Sequence, residues 1–239
     1  MARARTFRRY PSAQAAAQDM ASESCAFLRE RIEATGQASV VLTGGSSPKA
    51  LYTCWGNEHG DSLDWSQVHF FWGDERNVPH GTEESNVTTA SPLLDHLPVD
   101  KEKLHVWRTD LDPSDALAHM RQVLRDTACS GSDCGFDLTL LGVGPDGHIA
   151  SLFPEDQPWL ALSEEAPDDV KFISDSPKPP PERYTFTLPC LNRSSLIYLT
   201  PFGENKAEAV RRLEAGDPRL PVSHVQGRNA TIVWTDQGV

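Results

Sequence analysis

His148 follows Asp146 by two positions in a glycine-rich stretch, LLGVGPDGHIASLFP (140–154). An imidazole titrates near neutrality and moves protons in both directions. A carboxylate two residues away can orient the ring or contact a substrate. Gly142, Gly144 and Gly147 also spell G-x-G-x-x-G, the pattern of a dinucleotide-binding turn. That turn needs a long helix after the third glycine, then a strand ending in Asp or Glu. Here HIASLF alone separates Gly147 from Pro154. Proline disfavours the helical state in the residue before it and breaks a helix interior. No strand is expected until about residue 169, and Asp168 and Asp169 precede that strand instead of ending it. The glycines are expected to bend the chain and present Asp146 and His148.

Three further groups carry potential chemistry. Gly44 and Gly45, with Ser46 and Ser47, lie between a strand and a helix. Glycines let backbone N–H groups approach an anion, and a helix N-terminus adds its dipole; an ordinary tight turn would use the same residues. Asp74, Glu75 and Arg76 follow a second strand, either as a surface ion pair or as groups that orient a hydroxylated substrate and pair with phosphate. Lys178 sits in the proline-stiffened SPKPPPE loop, Arg183 just beyond it, and Lys206 near the start of a helix. Each is either solvated charge or part of a local cationic patch. The remaining histidines are scattered with no H-E-x-x-H or H-x-x-x-H spacing, so no metal site is expected. No G-x-S-x-G is present, which disfavours a serine hydrolase.

The positioning elements are legible as alternating apolar runs. Residues 12–35 show helical spacing, with Ser12 placed to cap the start and Gly36 to close the end. ASVVLT (38–43), VHFFWG (68–73), LHVW (104–107), FDLTLLGV (136–143), SLIYLT (195–200) and NATIVW (229–234) read as buried strands. Helices are expected from Pro48, from Asp112 or Ser114 to Ala128, and over 203–216. DVKFIS (169–174) and YTFTLP (184–189) read as shorter, antiparallel strands, and the segment 74–86 as irregular. This is an α/β pattern: a three-layer, Rossmann-like fold with a mainly parallel sheet and a few extra short strands. No linker or repeat interrupts it, so one domain over residues 1–239 is expected. Ligands in such sheets bind beyond the carboxyl ends of the strands. Those ends here read GGSSPK, GDERNV, GPDGH and PFGENK.

Composition narrows the function. The 239 residues carry 22 basic and 34 acidic side chains, a net charge of −12. That argues against nucleic acid as a partner and requires any anionic substrate to meet a local cluster of cations. No apolar run approaches the ~18 residues of a membrane span. The start MARARTFRRY is basic, with no apolar stretch after it, and does not read as a secretory signal. Five irregularly spaced cysteines read as free thiols of a reducing, cytoplasmic compartment.

Assembled, LTGGSSPKALY, FFWGDERNVP…ESN, FDLTLLGVGPDGHIASLFP, SDSPKPPPERYTFTLPCLNRS and GENKAEAV resemble the 6-phosphogluconolactonase family, in family order over about residues 12–235. That family shares a superfamily with glucosamine-6-phosphate deaminases. The resemblance implies hydrolysis of 6-phospho-D-glucono-1,5-lactone without metal or organic cofactor. It implies His148 as general acid/base, with Asp146 and Asp74 positioning substrate, water or imidazole. Gly44, Gly45, Ser46, Arg76, Lys178, Arg183 and Lys206 would hold the phosphate end or the sugar. The partner would be the sugar-phosphate lactone alone, and the chain a monomer or weak dimer. An amino-sugar-phosphate deaminase or aldose–ketose isomerase, or a sugar-phosphate sensor without turnover, stays open from the residues themselves.

Overall fold

Strands apolar on both faces demand cover on both faces. The computed structural model describes residues 5–130, 133–154 and 169–238 and supplies that cover. In chain order the elements begin with β1 (Thr6–Arg9), α1 (Ala13–Thr35), β2 (Ala38–Leu42), α2 (Lys49–Glu58), β3 (Val68–Trp72), β4 (Asp74–Arg76), α3 (Asn86–Thr89) and α4 (Ser91–Leu94). There follow β5 (Leu104–His105), α5 (Pro113–Thr127), β6 (Cys129–Ser130), β7 (Asp133–Cys134) and β8 (Leu138–Leu141). The last are β9 (Val170–Ile173), β10 (Arg183–Phe186), α6 (Leu188–Asn192), β11 (Leu196–Leu199), α7 (Ala207–Glu214) and β12 (Ala230–Thr235).

Seven strands form one sheet in the order β1-β12-β11-β8-β2-β3-β5. Every pairing in it is parallel. A separate antiparallel sheet runs β4-β10-β9. Successive residues of a strand face opposite sides, and β3 shows what lies on each. Phe70 stacks on Trp65, which meets Trp55 of α2. Phe71 packs on Phe136, which stacks on Phe186 of β10. The α1–α2 pair thus covers one face and the small antiparallel sheet covers the other around β3.

The strand order reverses direction between β2 and β8. Chain order runs outward from β2 to β3 and β5 on one side, and from β8 to β11 and β12 on the other. The loops leaving two such strands diverge and open a crevice at their carboxyl ends.

Several sequence expectations hold. Ser12 accepts a hydrogen bond from the Ala15 N–H at 3.1 Å, and Gly36 closes α1 with φ 83°. The strands at 169–174 and 184–189 pair antiparallel. Others need correction. The basic N-terminal stretch contains β1, an edge strand pairing Thr6–Arg9 with Ile232–Thr235. Its arginines are anchors: Arg8 lies 4.7 Å over the Trp234 ring and pairs with Glu23, and Arg9 pairs with Glu214. Asp74–Arg76, expected as irregular, is a strand because β10 offers it an antiparallel edge. The strand expected over 104–107 pairs only at Leu104 and His105. Beyond them Trp107 turns to donate to the Trp72 carbonyl at 2.8 Å and stack on Tyr184. The helix expected over 203–216 begins with a tighter 3₁₀ turn, Glu204–Lys206, after Gly203 at φ 102°. Cys25, Cys54 and Cys190 are free and buried. The thiols of Cys129 and Cys134, and the stretch 155–168 with Asp168, lie outside the described residues.

Candidate active site

The crevice between β2 and β8 is built from two glycine-bearing turns in contact. The Tyr52 hydroxyl, fully buried on α2, both accepts from the Thr43 N–H and donates to the Thr43 carbonyl, each at 2.9 Å. This pins the end of β2 where Gly44 begins. The N–H groups of Gly44, Gly45, Ser46 and Ser47 donate to no acceptor among the described residues. From β8, Gly142 approaches the Thr43 hydroxyl at 3.4 Å. A cavity of about 190 Å³ lies between these turns, lined by residues 43–47, Asp74, Arg76, Asn86, Gly142–Gly144, His148, Ala150, Arg183 and Lys206.

The His148 loop folds back on itself. The Gly144 N–H donates to the His148 carbonyl at 2.8 Å, and the Gly147 N–H to the Gly144 carbonyl at 2.9 Å. Gly147 takes φ 84°, the left-handed conformation that glycine adopts without steric cost. A Cβ on Gly144 would stand 1.9 Å from His148 Nδ1, so only glycine lets the ring lie across that turn. Ala150 has φ 45°, the one non-glycine residue at positive φ among the described residues. It lines the cavity, and strain of that kind persists only where surrounding contacts hold it.

His148 Nδ1 lies 2.5 Å from Asp146 Oδ1, and Lys178 Nζ lies 3.0 Å from Asp146 Oδ2. Lys178 Nζ is also 3.0 Å from His148 Nδ1. An ammonium cannot donate to a nitrogen that already carries a proton. The short contact to a carboxylate therefore assigns the proton to Nδ1, Lys178 bonds to Asp146, and Nε2 is left as the free lone pair. Burial pushes the Asp146 carboxyl upward, but the hydrogen bond and charge of His148 and the hydrogen bond of Lys178 outweigh it, holding the group below the usual carboxylate range. Asp146 is thus a fixed anion behind the imidazole. The ring tilts against Phe153, 4.8 Å between centroids.

Asp74 and Arg183 are buried at 5% and 4% exposure. Asp74 Oδ2 accepts from the Ser151 hydroxyl at 2.7 Å, and Arg183 stands 3.9 Å from the same oxygen. Arg183 also donates to the carbonyls of Pro180, Pro179 and Lys178 at 3.0–3.2 Å. It therefore holds the proline loop that delivers Lys178, besides lining the cavity. Its neighbour in the sequence motif, Glu75, points away from the cavity. Glu75 is fully buried and accepts from the N–H groups of Arg76, Asn86 and Val87 at 2.7–3.1 Å, capping α3. Burial raises its pKa, and those three bonds oppose the rise.

All ten sequence-predicted residues lie in or beside this one site. Gly44, Gly45, Ser46, Asp74, Arg76, His148, Arg183 and Lys206 line the cavity, and Asp146 and Lys178 stand behind His148. The Lys206 backbone N–H donates to the Gly203 carbonyl at 2.9 Å, while its ammonium makes no hydrogen bond or ion pair within the described residues. Burial lowers its pKa first, and the Lys178 charge lowers it further, against Asp146. Two residues escaped the sequence reading. Ser151 clasps Asp74, and Asn86 reaches Asp74 from α3. The sequence hints of Asn86 were its place at the end of the polar segment that begins with Asp74 and in the ESN of the stretch that resembles the family. No group of three or more potential metal-ligating side chains occurs among the described residues. Nor, among them, is any helix long and apolar enough to cross a membrane.

A parallel α/β sheet with an acid–imidazole pair at its reversal point, and the Lys206 ammonium beside it, defines a candidate active site on a Rossmann-like fold. The chain belongs to the family described as glucosamine-6-phosphate isomerases/6-phosphogluconolactonase, which matches residues 11–234. It is 40% identical to the 6-phosphogluconolactonase of Mycobacterium tuberculosis over 217 residues, 86% of this chain and 85% of that one. It is 38% identical to the 6-phosphogluconolactonase of Streptomyces coelicolor over 213 residues, 84% and 80% of the two chains. The crystal structure of 6-phosphogluconolactonase from Thermotoga maritima superposes with a TM-score of 0.83 at 25% identity, covering 97% of this chain and 99% of that one.

Proposed function

We propose that this chain hydrolyses 6-phospho-D-glucono-1,5-lactone to 6-phospho-D-gluconate, with His148 as general base and then general acid. The observation that carries the reading is the commitment of His148 Nδ1 to Asp146, which leaves Nε2 as the proton acceptor on the cavity wall. Nε2 takes a proton from water as the oxygen attacks the lactone C1. The C1–ring oxygen bond then breaks, and the imidazolium returns the proton to the leaving ring oxygen. Asp146 stabilises the imidazolium between the two steps and holds its tautomer. The unpaired N–H groups of residues 44–47, with Lys206 and Arg76, are the donors for the phosphate. No metal ion, organic cofactor or covalent nucleophile is needed, because a δ-lactone is already prone to hydrolysis and positioning with proton transfer suffices.

The test is lactone hydrolysis on freshly generated substrate at slightly acidic pH, run beside ammonia release from glucosamine 6-phosphate. Lactone turnover is expected and ammonia release is not. His148→Ala is expected to lower kcat by ~10²–10⁴-fold, the usual span of general acid/base catalysis, with little change in affinity for the product. Wild-type turnover in that variant removes His148 from the chemistry. Ammonia release without lactonase activity transfers the site to the isomerase branch of the family.

A further inference from the structure

Among the side chains that line the cavity, one buried acceptor has no counterpart. Asn86 is 1% exposed, yet its side-chain oxygen has no hydrogen-bond partner. The amide orientation is not arbitrary. The nitrogen donates to the Asp74 carbonyl at 2.9 Å and to Asp74 Oδ1 at 3.0 Å, and both of those atoms can only accept. The oxygen must therefore face the other way. There it abuts Gly44, where a Cβ would fall 1.8 Å from it, and both residues line the cavity. The fold fixes the side chain from behind as well: Glu75 caps the first turn of α3, and Trp72 donates to the Asn86 carbonyl at 3.3 Å. An acceptor held this rigidly, buried and unpaired, is costly unless something that enters the cavity donates to it.

The chemistry of the donor follows. A phosphate dianion offers only acceptors and is repelled by the Asn86 oxygen and the Asp74 carboxylate beside it. A hydroxyl group donates. We propose that Asn86 is a specificity-determining residue whose side-chain oxygen accepts a hydrogen bond from one ring hydroxyl of the sugar substrate. The Asn86–Asp74 wall is then the hydroxyl side of the cavity, and the phosphate is directed to Lys206, Arg76 and the N–H groups of residues 44–47. This deepens the lactonase reading and rests on it for the identity of the substrate. A site built to receive a hydroxyl rejects the analogue lacking it, because the buried acceptor is left unpaired.

The experiment compares the parent lactone with its 2-, 3- and 4-deoxy analogues, in wild-type protein and in Asn86→Ala. In the wild type, kcat/KM is expected to fall roughly 10- to 100-fold for one analogue, a range set by the loss of one hydrogen bond to a buried acceptor. In Asn86→Ala the parent falls to the level of that analogue, and the two agree within about three-fold. Penalties for the other analogues are unchanged. The proposal is overturned if the wild type handles all three deoxy lactones like the parent, a result independent of whether the variant folds. It is also overturned if folded Asn86→Ala keeps the full penalty. If the wild type hydrolyses no lactone, the reading of function fails separately. Calorimetric binding of 6-phosphogluconate and its deoxy analogues then decides the role of Asn86 by the same loss of discrimination.

Discussion

Two polar cavities among the described residues lie at opposite edges of the same sheet, and the larger of the two is not the candidate site. The amino-edge cavity measures about 290 Å³ and is lined by Arg31, Ser39, His69, Asp137 and others. The carboxyl-edge cavity measures about 190 Å³. At the amino edge the charges are spent on the protein. Arg31 Nε donates to Asp137 Oδ1 at 2.6 Å, the Ser39 N–H and hydroxyl hold Oδ2 at 2.8 and 3.0 Å, and His69 sits between Gln37 and His105. At the carboxyl edge Asn86 Oδ1, Arg76 Nε and the Lys206 ammonium lack partners within the described residues. Unsatisfied polar groups, more than volume, separate a place prepared for a ligand from a polar seam that holds strands together.

Four perturbations test that contrast. The largest effect is expected from Asp146→Asn, which removes the anion that fixes the Nδ1 proton. Steady-state kinetics should show kcat down ~10²-fold or more, with a smaller change in KM. Because the Asp146 pKa is depressed, the group stays ionised down to acid pH. Its contribution is present above the unfolded carboxylate value of about 4 and is lost only as pH falls below it. An acid limb of activity near neutrality therefore does not come from Asp146 itself; because Asp146 stabilises the imidazolium, Asp146→Asn should move such a limb to lower pH, and an unmoved limb would contradict the assignment.

Gly144→Ala comes next. The added methyl meets the His148 ring at 1.9 Å, so the ring or the turn must shift. Overpacking of this kind costs about 1–3 kcal/mol. Chemical denaturation should register that loss, and kcat should drop by ~10-fold or more as the imidazole leaves its position. Unchanged kcat would show that the Nδ1 geometry is not required.

At the amino edge, Asp137→Ala should act on stability alone. It strands the Ser39 N–H and the Arg31 guanidinium, a loss of about 1–3 kcal/mol in urea unfolding. kcat/KM should stay within about two-fold of wild type. A large kinetic defect would make the amino-edge cavity part of the function and dissolve the contrast.

The smallest effect is a pH dependence of stability from the same edge. His69 Nδ1 lies 2.9 Å from His105 Nε2, and the rings stack 5.2 Å apart. Burial, then the neighbouring His69 and His119, push the His105 pKa down to about 4. Above pH ~6.5 both folded and unfolded chains hold this group neutral, so it has no effect. As pH falls from ~6.5 toward 4 the unfolded chain binds a proton that the native chain refuses, and stability declines. Thermal midpoints across that window should fall in wild type and fall less in His105→Gln. Equal slopes would place the acid sensitivity elsewhere.

The sequence made the carboxyl edge legible because its key features are local. The strand-end position, the glycines and the D-G-H order lie within one turn, and Ser12 and Gly36 bound α1 by nearest-neighbour hydrogen bonds. Long-range placements were less accessible. β1 exists only because β12 offers it an edge, and a four-residue arginine-rich segment carries too little pattern to announce that. The strand at Asp74–Arg76 depends in the same way on β10.

By itself, then, the sequence determined the alternating strand–helix order, the carboxyl-edge location of its polar turns and the Asp146–His148 pair, since each follows from backbone preference and burial over a few residues. Tertiary structure alone decided which side chains meet there. Lys178 comes 30 positions along the chain to the His148 ring, and Ser151 comes 77 positions to clasp Asp74. It also decided that Glu75 caps a helix while Asp74 faces the cavity, and that the Asn86 oxygen is left without a donor. Hydrogen bonds act over about 3 Å, and only the packed sheet and its covering layers set distances on that scale between residues remote in the chain.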